Sequence, residues 1–185
     1  EGLDATAATG EDDGPLVIDS NIILADPDGN GFGGGSLTVS TTNFSNRDEI
    51  GIVADAIEQD GAIRLAQNGT DIEISNGVGD WTVIGTIDAS QDGTSGADLK
   101  ISFAADVTDA QATALARSIT YQTTAEIPPA SREIEFAVIS ADNDPAISAA
   151  TTMSIESTYD RPSLVDTNGA EGVVYFDGLV RIAST

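Results

Sequence analysis

The sequence predicts an all-β protein, an antiparallel β-sandwich with one short helix inserted at about residues 108–118. Three observations carry this reading. Apolar and polar residues alternate in many short runs, the period of strands with one buried face. Clusters of Gly, Asn, Asp and Pro separate the runs at short intervals, which suits hairpins better than the long crossovers of a parallel sheet. A helical period occurs in one stretch only, within residues 107–121.

The elements follow in order. Residues 1–13, "EGLDATAATGEDD", are small, polar and acidic and read as a flexible N-terminal segment. "PLVID" (15–19) is the first apolar run. "SLTVSTT" places Leu37 and Val39 on one face, and "EIGIVA" (49–54) follows. "AIRLA" and "TDIEIS" flank Gln67, Asn68 and Gly69. Asn-Gly between alternating runs predicts a tight hairpin, because both residues tolerate positive φ. Ile63, Leu65, Ile72 and Ile74 then face the core, with Arg64, Asp71 and Glu73 toward water. "WTVIGTI" (81–87) is the next strand, with Trp81 at the core or its rim. "DASQDGTSGAD" reads as a Gly-rich, exposed hairpin loop.

"LKISF" (99–103) turns Leu99, Ile101 and Phe103 inward. In "VTDAQATALARSITY" (107–121), Ala112, Leu115, Ala116 and Ile119 fall at i, i+3, i+4 and i+7, one face of a helix that Thr108 or Asp109 would cap. Pro128-Pro129 breaks the chain before "REIEFAVIS", where Ile134, Phe136 and Val138 point in and Glu133 and Glu135 point out. "TTMSIE" (151–156) closes a sandwich over residues 14–156. Residues 157–185 read as a linker and a lone strand, "GVVYFDGLVRI". Its "DGLVRIAST" resembles "DGPLVIDSN" at 13–21, as the opening strand of a next repeat would.

Composition narrows the function. There are 7 basic and 31 acidic residues, a net charge of −24, and 21 of the acids are Asp. Such a chain is repelled by nucleic acid and anionic lipid and attracts cations. With no His and no Cys, a Ser-His-Asp or Cys-His mechanism, a thiolate zinc site and a disulfide framework are all excluded. No apolar run approaches the ~20 residues of a membrane helix. Carboxylate-pair glycosidase chemistry lacks the aromatic platforms that usually line a sugar groove. The expectation is a protein without enzymatic activity.

"LADPDGNGFGGGSLTVS", "VIGTIDASQDGTSGADLKISF", "VTDAQATALARSITYQTT" and "REIEFAVISADND", in that order, resemble the cadherin-like repeats of large bacterial surface and secreted proteins, related to the chondroitin-sulfate-proteoglycan type of repeat. The resemblance covers about residues 13–156. It implies an immunoglobulin-like β-sandwich, tandem repetition, an extracellular or cell-surface location, frequent calcium binding, and a role in adhesion or matrix structure. The partners implied are neighbouring repeats or copies of itself, with surface glycan or protein as further candidates.

Two acidic loops are the candidate Ca2+ sites. Asp26, Asp28 and Asn30, closed by Gly31, alternate so that their side chains could converge on a cation if the backbone curls. Loop position 12 counted from Asp26 is Leu37, so this is not an EF-hand, and no lysine or following helix makes it a phosphate cradle. The other reading of the same residues is a Gly-rich turn whose Asp and Asn side chains bond their own backbone. Asp142 and Asp144 form the second candidate. That loop departs from the Asp-Gly-Asp-Gly type of the family, with Asn143 and Pro145 where glycines are common. Asp166 and Asn168 in the linker, and Asp92 and Asp98, are weaker candidates. Two other functions stay open: a filament subunit joined by donation of the terminal strand, and a carbohydrate-binding module.

Overall fold

The computed structural model describes residues 8–10, 14–53, 64–75, 80–140, 147–156, 173–176 and 179–182. Its strands are β1 (Ala8–Gly10), β2 (Leu16–Val17), β3 (Ser36–Thr41), β4 (Asp48–Ile52), β5 (Arg64–Asn68), β6 (Asp71–Ser75), β7 (Thr82–Asp92), β8 (Leu99–Phe103), β9 (Ile119–Thr123), β10 (Ser131–Ile139), β11 (Ile147–Glu156), β12 (Val173–Phe176) and β13 (Leu179–Ile182). Among the described residues the one helix, α1, spans Asp109–Arg117. An eight-stranded sheet runs in the order β1-β11-β10-β3-β8-β7-β6-β5, and a three-stranded sheet in the order β2-β9-β4. Pairing is antiparallel throughout except between β1 and β11. The fold is an all-β sandwich with one short helix.

Alternation decides which face of each strand is buried. On β8, Leu99, Ile101 and Phe103 are buried; on β10, Ile134, Phe136 and Val138 are; on β3, Leu37 and Val39. These join Ile18, Ile50, Tyr121 and Met153 in one apolar core. Helix α1 begins with a capping box. The Thr108 hydroxyl accepts the Gln111 N–H, and the Gln111 side chain accepts the Thr108 N–H. Ala112, Leu115 and Ala116 are buried as the helical period requires. Ile119 is buried too, but as the first residue of β9. Ser118 ends the helix by donating to the Leu115 carbonyl from both its N–H and its hydroxyl.

Several expectations are corrected. Ala8–Gly10, inside the segment read as a flexible end, pairs with Ser154–Glu156. The β5–β6 turn lies one residue later than Asn-Gly, because Asn68 pairs with Asp71 and leaves Gly69 and Thr70 at the centre. Gly69 alone takes positive φ there, +66°, the pattern of a type II′ turn. Ile63 and the side chain of Arg64 lie outside the described residues. The tail strand is two strands: β12 and β13 pair with each other from Val173↔Ile182 to Phe176↔Leu179.

The largest difference concerns "DASQDGTSGAD". Strand β7 continues through it to Asp92, with the register jumping from Ile87↔Ile101 to Asp92↔Leu99. Between these pairs β7 advances five residues while β8 advances two, and the following loop reaches the other sheet. There the Gly93 carbonyl accepts the Ile50 N–H at 2.8 Å, and the Gly96 N–H donates to the Asp48 carbonyl at 3.0 Å. The loop is a seam between the two sheets. Gly93 has φ +81°, and a Cβ there would lie 2.1 Å from the Ile50 carbonyl oxygen. Gly93→Ala is expected to cost about 3 kcal/mol or more. Gly69→Ala, whose Cβ meets nothing within 4 Å, should cost only about 1 kcal/mol. Urea unfolding of the two variants checks the contrast; equal losses would show that the seam contributes nothing.

Candidate functional site

The opening loop is positioned by the helix. Residues 22–26 run extended beside α1 and are held by three of its side chains. The Arg117 Nε donates to the Ile22 carbonyl at 2.8 Å. The Thr113 hydroxyl donates to the Leu24 carbonyl and accepts the Leu24 N–H, both at 3.0 Å. The Asp109 carboxylate accepts the Asp26 N–H at 3.1 Å. These side chains are spaced i, i+4, i+8, so each step rises about 6 Å along the helix. Alternate residues of an extended chain advance by about 6.6 Å. The two spacings nearly match, and the helix face serves as a neighbouring strand would.

Beyond this strap, Asp26 turns back on its own loop. Its Oδ1 accepts the Asp28 N–H at 3.2 Å and its Oδ2 accepts the Asn30 N–H at 3.0 Å. The Gly29 N–H reaches the Asp26 carbonyl at 3.1 Å, and the Phe32 N–H reaches the Val107 carbonyl at 2.9 Å. The structure thus contains the self-bonded turn that was one of the two readings of this motif. Both Asp26 carboxylate oxygens already serve two N–H groups, while Asp28 and Asn30 are exposed. Calcium takes six to eight oxygens, and among the described residues no three acidic side chains are gathered as a metal site. Three side chains fall short of six to eight oxygens, so an ion held here would need further ligands. Asp142 and Asp144, with Asn143 and Pro145, and the linker residues Asp166 and Asn168, lie outside the described residues. Asp92 bonds the Thr94 N–H and hydroxyl, which hold its carboxyl below the usual carboxylate value.

A second constellation was not singled out from the sequence. Asp48 on β4 is fully buried, with an exposure of 0%, and Arg132 on β10 is 8% exposed. They form an ion pair between the sheets, Arg132 Nη2 to Asp48 Oδ2 at 2.6 Å. The Tyr121 hydroxyl on β9 donates to Asp48 Oδ1 at 2.8 Å, and the Ser45 N–H donates to Oδ2 at 2.7 Å. Burial pushes the Asp48 carboxyl up. Bonds from Ser45, Thr123 and Tyr121 and the Arg132 charge outweigh it and hold the group below its ordinary value. Burial, then the bond to Asp48, pushes the Tyr121 hydroxyl up to about 12. The signal for this cluster was present in the alternation. Arg132 stands two residues before Ile134, and Asp48 two before Ile50, so both fall on inward positions.

A recess of about 250 Å³ lies where β4 and β9 face the end of β7; Glu49, Ile50, Asp92, Thr94 and Gln122 are among its lining. Its Glu49 carboxylate accepts the Gln122 amide at 2.5 Å. Trp81, read from the sequence as core or rim, is 40% exposed and is not among the core residues. Among the described residues no helix is long and apolar enough to cross a membrane. Comparison with models of known families, with curated proteins and with solved structures finds no match.

Two outcomes follow for the buried cluster. Asp48→Ala should lose about 3–5 kcal/mol, because it strands a buried guanidinium. The triple change Asp48→Leu, Arg132→Met, Tyr121→Phe should regain much of that, since no charge is then buried alone. Denaturant unfolding measures both, and a triple variant no better than the single one would show that packing, not charge, dominates. The pH dependence has two arms. The lowered Asp48 value means that its contribution is whole above its ordinary value of 3.8 and is lost as pH falls through the still lower folded value. The raised Tyr121 value means that its contribution is whole below 10.0 and is lost as pH rises toward about 12. Melting temperature against pH should show an alkaline fall that Tyr121→Phe removes; persistence of the fall in that variant would assign it to other groups.

Proposed function

We propose that this chain is a non-enzymatic structural and adhesion module of an extracellular bacterial protein, built of tandem repeats of the cadherin-like kind that its motif order resembles. One observation supports this most directly. The charged groups that are buried together, Asp48 and Arg132, face each other across the sandwich and are shielded from solvent. A catalytic pair must meet its substrate, whereas this pair meets the interior of the sandwich. The sandwich with acidic loops suits a load-bearing unit whose neighbours are further repeats. In this proposal calcium stiffens the module where acidic loops meet a neighbouring repeat, with Asp28 and Asn30 as exposed oxygen donors and the acids at 142 and 144 completing a site that Asp26 does not supply alone.

Thermal melting tests the calcium part. Calcium at 100-fold above its dissociation constant should add about 2.7 kcal/mol of stability relative to EDTA, seen as a rise of several degrees; an unchanged midpoint removes calcium from the proposal. The tandem-repeat part is tested by the mass of the native polypeptide carrying these residues. It should far exceed the 18.9 kDa of this chain, and a native species of that mass alone would refute it.

A further inference from the structure

The strap at residues 22–26 belongs to neither sheet, yet it has the form of a strand. Its exposure alternates: Ile22 is buried, Ile23 exposed, Leu24 half-buried, Ala25 exposed and Asp26 half-buried. In extended backbone the N–H and C=O groups of alternate residues point to opposite edges. The edge formed by Ile22, Leu24 and Asp26 is bonded to Arg117, Thr113 and Asp109 of α1. The other edge carries the N–H and C=O groups of Ile23 and Ala25, and among the described residues none of these four groups has a hydrogen-bond partner. Ile23, 71% exposed, adds an apolar anchor beside them.

We infer that the open edge at Ile23 and Ala25 is a β-augmentation site, which takes an extended, basic segment of another polypeptide as an added strand. Main-chain bonds to Ile23 and Ala25 supply the pairing, and an apolar side chain of the guest covers Ile23. Charge selects the guest. Asp26 and Asp28 close one end of the edge, and the chain carries a net charge of −24. A second copy brings the same charge and is repelled, whereas a segment alternating apolar residues with lysine or arginine is attracted. The pre-ordering of the host edge by α1 favours binding, because little backbone entropy remains to be lost on the host side. This inference rests on the backbone geometry of the strap and is independent of the function proposed above.

The probe is a blocked peptide alternating lysine and valine, titrated into the full chain and followed by amide NMR. Exchange of the Ile23 and Ala25 amides should slow by about tenfold or more, while the Leu24 and Asp26 amides, already bonded, change little. The same peptide N-methylated on alternate residues keeps its charge and side chains but loses donors on one edge. It should bind about tenfold or more weakly. Ala25→Pro removes one free host donor in extended backbone and should weaken the unmodified peptide similarly, with the melting temperature as the check that the fold persists. Equal binding of the two peptides would mean attraction by charge alone and would overturn the inference. So would unchanged exchange at Ile23 and Ala25 in excess peptide. Slowing that grows with protein concentration and without peptide would identify a second copy as the guest and overturn the basic-segment assignment.

Discussion

The sandwich depends on one residue more than on any other. Asp48 stands fully buried at the start of β4, and both its side chain and its backbone are occupied. Its carboxylate receives Arg132 from the opposite sheet, Tyr121 from the neighbouring strand and Ser45 from the preceding turn. Its carbonyl receives Gly96 from the loop that β7 carries across. Burying this pair has a desolvation cost that good geometry only offsets. What the arrangement contributes is register. A one-residue slip of β4 or β10 would reverse the faces and separate the charges.

The polar demand at the cluster is not wholly met within the protein. The Arg132 Nε and the Thr41 Oγ1 are buried and find no partner among the described residues. Thr41 pairs with Ile134 on β10, two positions from Arg132, so both orphan groups belong to the same inner face. Buried polar groups of this kind are commonly served by internal water.

At the opposite pole of the chemistry, the helix shows how a short α segment replaces a strand. Residues 22–26 have the alternation of a strand but no strand beside them on the helix side. Asp109, Thr113 and Arg117 present an acceptor, a hydroxyl and a donor at nearly the spacing the extended backbone needs. The strap thereby delivers Asp26 to the start of its loop with its own N–H already bound. The Asp26 carboxylate is left to order the two following N–H groups. An acidic motif that resembles a cation loop is thus used first to shape its own turn.

Much of this was legible in the residues themselves. Period-two alternation placed Leu99, Ile101, Phe103, Ile134, Phe136 and Val138 in the core, and period 3.6 with Thr108 or Asp109 as cap located the helix, because such patterns are local and each residue's neighbours along the chain define them. The hairpin at 68–71 was visible, though the choice of Gly69-Thr70 as its centre was not, since cross-strand packing of Leu65, Ile72 and Ile74 selects the register. What the sequence could not decide was which residues meet at a distance. Asp48 and Arg132 lie 84 positions apart, and nothing local says that two inward charges will face one another. The same holds for the Gly93 loop crossing to β4, for the helix stripe that binds Ile22 to Asp26, and for the inward turn of the Asp26 carboxylate. Each depends on sheets and helix being stacked in three dimensions, where hydrogen-bond geometry and burial, not chain proximity, choose the partners.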